Sequence, residues 1–190
     1  MKTDNLLIIR FSAQCEVAML VPVVSTLERQ YPDLRFTVLS LPFARVFFEE
    51  LAPNVGFMEA DLQGEYRGVK GLNALYRRLI AKNFTAIADM HDTLSSKYLR
   101  MRFKMSRYRV AHINRHVAER QKLSAQNNKK QRQLSTAFDN YTDVLARLGY
   151  PVELDFQSVF PATGGNLRLV SEEIGKKKIF QQWIGVAQFA

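Results

Sequence analysis

The sequence has one cysteine, Cys15, and no glycine in the loop that follows its first apolar run. It also has no stretch near the roughly 18 consecutive apolar residues that a membrane helix needs. A single cysteine excludes an intramolecular disulfide framework and suits a reducing compartment. The most apolar helical stretch, 17–27, contains Pro22 and follows a charged loop, so it does not read as a membrane span. The N-terminal "MKTDNLLIIRFS" has too short an apolar segment, and a charge too soon after it, for a secretory leader. These absences predict a protein of the cytoplasm. Acidic residues are scarce in one region: from Lys97 to Arg132 there are twelve basic residues and one acid, Glu119. The net charge of +9 therefore belongs to that region, and the rest of the chain is close to neutral. Such a segment suits a polyanionic partner or, more plainly, a solvated face. No internal repeat, helix-turn-helix, zinc or RNA-recognition signature is present.

What is present is an alternation. Apolar residues make up 47% and aromatics 11% of 190 residues, enough for the core of one full domain or of one domain plus the start of another. "NLLIIR" (5–10) reads as a buried parallel strand, followed by a helix over about 16–30 that Pro22 kinks or makes irregular in its first turn. Strands are predicted at 35–40, 55–60, 84–90 and 107–112, with helices opened by Pro42 and over 72–83, 94–103 and 134–150. The stretch 61–71, with three glycines, reads as a loop, and 114–133 as a polar, basic loop. A helix over 166–177 and one more strand end the chain. The order implies an α/β, Rossmann-like doubly wound parallel sheet over 1–160, with 161–190 opening a second domain. In such sheets ligands bind at the carboxyl ends of the strands, which groups the loops at 11–16, 61–71 and 91–96.

Those loops hold the candidate residues. Glu16 stands at a helix start, where the backbone dipole stabilises a carboxylate. Cys15 beside it is a small filler or, because helix starts favour the thiolate, a reactive thiol. His91 and Asp92 end a strand on the ligand side, either as binding groups or as a pair capping the next helix. Arg67 and Lys70 lie in the glycine-rich loop. In "HINRH", His112 and His116 are four apart, a spacing that aligns two metal ligands on a helix, but no third ligand sits beside them. Arg115, His116 and Arg120 suit phosphate oxygens better, since arginine forks match them. Tyr98, Phe103 and Tyr108 interleave with the basic residues, as in some single-strand nucleic-acid binders, but fall where a helix and a strand need core residues.

"LLIIRFSAQCEVAMLVPVVSTLERQYPDLRFTVLS" resembles the opening of the ADP-heptose:lipopolysaccharide heptosyltransferases, glycosyltransferase family 9. That family has a strand, a Ser-x-x-Gly-Asp loop, a proline-bearing helix, a Tyr-Pro-Asp turn and a second strand. "FTAIADMHDTLSSKYLR", "FDNYTDVLARLGYPV" and "WIGVAQFA" are similar to later elements of the family, and the likeness covers nearly the whole chain. It implies the N-terminal, acceptor-binding half of a two-domain GT-B glycosyltransferase. It further implies transfer of a heptose from a nucleotide sugar, ADP-heptose, to phosphorylated lipopolysaccharide core at the inner face of the cytoplasmic membrane.

On the same resemblance, Glu16 falls at the family's acidic general base; Ser12, Arg67, His91, Asp92, Arg115, His116 and Arg120 are the expected acceptor contacts. The donor would be a substrate whose site lies beyond this chain, with no metal or other cofactor, and the chain alone would be inactive or would pair with a separate donor domain. Three residues depart from the pattern: Cys15 for glycine, Glu16 for aspartate and Gln188 for proline. The alternative function is a basic α/β domain that binds nucleic acid or anionic lipid without catalysis.

Overall fold

The computed structural model describes residues 4–49, 51–114, 116 and 135–155. Five strands form one parallel sheet: β1 (Asn5–Arg10), β2 (Arg35–Ser40), β3 (Val55–Glu59), β4 (Ala86–Asp89) and β5 (Arg109–His112). Their spatial order is β3-β2-β1-β4-β5. Leu6 pairs with Phe36 on one side of β1 and with Ala86 on the other. The chain thus winds outward from β1 in one direction, then returns to place β4 on its other flank. The switch in direction lies between β1 and β4, and sheets wound in this way place their ligand crevice at the carboxyl ends of the strands there.

Alternation along β1 divides the core into two layers. Leu6 and Ile8 face one cluster, which also takes Val17, Leu20, Val24 and Leu27, and Tyr141, Val144 and Leu145 from near the C-terminal end of the described chain. Leu7 and Ile9 face the other, with Phe11, Leu75, Leu79, Leu99 and Phe103. Both faces of β1 are buried, so the strand reads as a continuous apolar run.

The helices are α1 (Gln14–Ala18), α2 (Val21–Gln30), α3 (Arg45–Phe48, entered through a 3-10 turn at Pro42–Ala44), α4 (Gly68–Ile80), α5 (Leu94–Met105) and α6 (Ala137–Arg147). The single helix expected over 16–30 is two. Pro22 sits in the first turn of α2, where its missing N–H leaves no hydrogen bond unmade, and Leu20 caps that helix. The short α1 turns on its own before it.

Helix α4 starts at Gly68, four residues before the expected 72. The glycines that suggested a loop have steric roles instead. Gly68 takes a left-handed backbone (φ +68°), and a Cβ on Gly71 would lie 2.2 Å from the backbone carbon of Tyr66. Helix α6 is closed at both ends by local chemistry. The Thr136 side chain accepts from the Asp139 amide at 3.2 Å, while Asp139 Oδ2 accepts from the Thr136 amide at 2.8 Å. At the other end Gly149 (φ +91°) lets Tyr150 N–H donate to Leu145 O, a Schellman closure. The predicted boundary at 160/161, the 166–177 helix, the final strand and Gln188 lie outside the described residues.

Candidate functional site at the sheet crevice

The crevice between β1 and β4 is built around a buried arginine. Arg10 is the last residue of β1 and only 7% exposed. One guanidinium nitrogen, Nη1, donates to the carbonyl of Met90, just past β4, and so ties the two strand ends together. The other, Nη2, donates to Glu16 Oε2 at 2.9 Å. The guanidinium carbon lies 5.4 Å from the centre of the Tyr141 ring, so helix α6 supplies an aromatic face for the same cation. Burial pushes the Tyr141 phenol above its ordinary value, keeping it neutral beside the pair.

A cleft of about 160 Å³ opens over this arrangement, and Arg10, Glu16, His91, Asn114, Asn140 and Tyr141 are among its walls. The Glu16 side chain is 57% exposed, against 9% for Arg10. The carboxylate therefore meets solvent while its cation does not. Oε2 is engaged by Arg10, and the exposed carboxylate still offers acceptor capacity toward the cleft. A hydroxyl placed there would find one hydrogen-bond acceptor with a fixed partner behind it. His91 faces Phe11 edge-on, with ring centres 6.4 Å apart, and its Nδ1 lies 3.1 Å from Thr93 Oγ1.

Next to this crevice lies a knot of charges built on a carboxylate that is closed to ligands, Asp89. Asp89, at the end of β4, is fully buried. Its Oδ1 accepts from the amides of His91 (3.0 Å) and Asp92 (2.9 Å), and its Oδ2 from Arg100 Nη1 at 3.1 Å. Asp92 takes a left-handed backbone (φ 56°), which its short polar side chain tolerates, and pairs with Arg100 at 2.8 Å and Lys97 at 3.4 Å. His91 and Asp92 do not cap α5; Thr93 is its N-cap, with the Thr93 amide donating to Ser96 Oγ at 2.9 Å. Asp92 lines a neighbouring cleft of about 520 Å³ with His112, Asp143 and Arg147, which shares Ile113 and Asn114 with the first.

The structure thus joins Glu16 and His91 and puts Asp92 one cleft away. It does not bring Arg67 to them. That residue precedes α4 beyond the edge strand β3, exposed, with its amide donating to Gly64 O at 3.2 Å. Ser12 is buried (6% exposed), and its Oγ has no hydrogen-bond partner among the described residues. His112 ends a strand and His116 follows it with a left-handed backbone (φ 49°), so the helical four-residue alignment of the two does not form. Arg115 and Arg120 lie outside the described residues. Nothing in the sequence marks out Arg10, Asn140 and Tyr141: a strand-end charge reads as a boundary, and Tyr141 sits on the apolar stripe of α6.

A larger hollow, about 760 Å³, lies at the opposite, amino ends of the strands, bordered by Asp4, Tyr31, Arg35 and Tyr150. Its phenols are committed: Tyr150 donates to Asp4 Oδ2 at 2.6 Å and Tyr31 to Pro151 O at 2.8 Å. Size notwithstanding, the chemistry of a parallel sheet belongs at the other end. The aromatics of the basic segment are core residues. Phe103 is fully buried between Tyr76 and Tyr108, and Tyr98 donates to Asn73 Oδ1 at 2.9 Å. They form no stacking platform for nucleic-acid bases. No helix among the described residues is long and apolar enough to cross a membrane.

No protein-family model and no curated protein matches the sequence. Solved structures do match the fold. A glycosyltransferase of family 9 from Veillonella parvula superposes with a TM-score of 0.55 at 16% identity, over 83% of this chain and 47% of that one. The described part of the chain shares the Rossmann-like α/β fold of this glycosyltransferase. E. coli heptosyltransferase WaaC, solved with ADP, gives 0.53 at 16% identity over 82% of this chain and 50% of its own. The same enzyme with ADP-2-deoxy-2-fluoro heptose gives 0.55 at 15% identity, over 85% and 56%. This chain spans about half the length of the structures it matches. At such identities the likeness is one of fold.

Proposed function

We propose that this chain is the acceptor-binding, N-terminal half of a heptosyltransferase-like enzyme acting on phosphorylated lipopolysaccharide core. The observation that carries the reading is the half-exposed Glu16 carboxylate at the switch point of the sheet, backed by a buried cation. In the reaction, a core hydroxyl gives its proton to Glu16 as its oxygen attacks the anomeric carbon of a nucleotide sugar. The bond from that carbon to the nucleoside diphosphate breaks, and the diphosphate leaves with the electron pair. A carboxylate serves here because the hydroxyl becomes acidic only as the new bond forms.

The donor, ADP-heptose on the sequence resemblance, belongs to the other half of the fold, so turnover needs that half. His91 and Asn114 border the path of the acceptor sugar. The basic segment 97–133, with Arg115, His116 and Arg120, meets acceptor phosphates and brings the protein to the inner face of the membrane. Asp92, in the neighbouring cleft, is the further proposed acceptor contact.

Calorimetric titration tests the reading with two ligands taken separately, a phosphorylated core fragment and a nucleotide-sugar analogue. Binding of the core fragment alone is the expected result. Binding of neither, or sugar transfer by these 190 residues alone, contradicts it.

A further inference from the structure

Glutamate reaches one methylene further than the aspartate that the sequence resemblance leads one to expect at position 16, and it has one more torsion to fix. An untethered glutamate at a surface samples several rotamers, and a misplacement near 1 Å can lower a rate roughly 10²-fold. The structure supplies the tether. We infer that Arg10 is the positioning residue for Glu16: a buried fork that holds Oε2 from behind and leaves the rest of the carboxylate to a sugar hydroxyl. The inference rests on the acceptor reading of the same cleft.

Three features make Arg10 a fixed point and not a passing surface partner. Its side chain is 9% exposed. It is held from two further directions, by the Met90 carbonyl on Nη1 and by the Tyr141 ring beneath the guanidinium. Each contact comes from a different element, so the cation reports the relative positions of β1, the end of β4 and α6 to one carboxylate. Lysine would not reproduce this, since it has no rigid planar guanidinium to hold the Met90 carbonyl with one nitrogen and Glu16 with the other. A surface ion pair would have neither the burial nor the three-sided support.

The test reads hydroxyl selectivity, which a purely structural role would not move. The chain is titrated with a phosphorylated core fragment and with its mono-deoxy analogues. In the unaltered protein one deoxy analogue should bind about tenfold more weakly than the parent, the size of a lost hydrogen bond to a charged group. Glu16→Gln should sharply reduce that preference. Arg10→Met should reduce it equally, by lowering the affinity for the parent fragment toward that of the deoxy analogue, and the double variant should do no worse than either single one, because both act on one contact. Arg10→Lys keeps the buried charge but not the fork, and carries the test if the methionine variant fails to fold; it too should lose the preference.

Full selectivity in a folded Arg10 variant overturns the positioning role and leaves the acceptor reading intact. An unaltered protein that binds no fragment, or binds all analogues alike, overturns the role of Glu16 and this inference with it.

Discussion

Two carboxylate–guanidinium pairs stand side by side at the carboxyl ends of β1 and β4, and they are built in opposite senses. After β1 the cation is buried and the carboxylate is at the surface: the Arg10 side chain is 9% exposed and that of Glu16 57%. After β4 the carboxylate is buried and the cation lies nearer the solvent: Asp89 is 0% exposed and Arg100 18%. Asp89 spends both oxygens on the protein, one on two backbone amides and one on the guanidinium. Nothing is left over for a ligand. Glu16 spends one oxygen and faces a cleft. A buried carboxylate with both oxygens engaged by the protein shapes a turn, whereas an exposed one with a buried partner is available for chemistry.

Substitutions can sharpen or break this contrast. The largest effect belongs to Asp89→Ala, which leaves two amides without their acceptor and Arg100 with only Asp92. It should cost about 3–5 kcal/mol in denaturant unfolding, the range for breaking a buried pair. Thr93→Ala removes the N-cap of α5 and should cost about 1 kcal/mol by the same assay. Glu16→Gln should change stability by less than about 0.5 kcal/mol, as for an exposed partner, while removing the hydroxyl preference in binding. If Glu16→Gln destabilises as much as Asp89→Ala, the two pairs are not of different kinds.

The smallest effect is one of pH. Burial, then the nearby Arg100 guanidinium, holds His112 below the ordinary histidine value of 6.5. As pH falls past 6.5 the unfolded chain takes up this proton first, so the contribution of His112 to stability is fully present above that value and declines below it. His112→Gln should flatten the fall of the unfolding midpoint between pH 6.5 and the lower folded value.

The alternation of strands and helices was legible because both faces of β1 are covered, which makes 5–10 a continuous apolar run. The helix break at Met19–Leu20 was half legible: Pro22 announced a disturbance, but only packing decides between a kink and a fresh start. The glycines at 68 and 71 misled, since sequence does not distinguish a glycine needed for close approach to Tyr66 from one that marks a loop. At the site, Glu16 and His91 could be placed in advance because strand-end loops converge in parallel sheets. Arg10 could not. Its partners are Met90 and Tyr141, far along the chain, and only the strand order β1-β4 and the docking of α6 bring them within reach. In "HDTLSS" the histidine and aspartate drew attention, while the cap is the threonine that follows them.

The most direct test of the central claim is amide chemical-shift mapping of the chain titrated with a phosphorylated lipopolysaccharide-core fragment. Shifts are expected at the amides of 11–16, 91–93 and 113–114, around the crevice that holds Glu16. Shifts confined to the amino-end hollow, at Asp4, Tyr31, Arg35 and Tyr150, would contradict it.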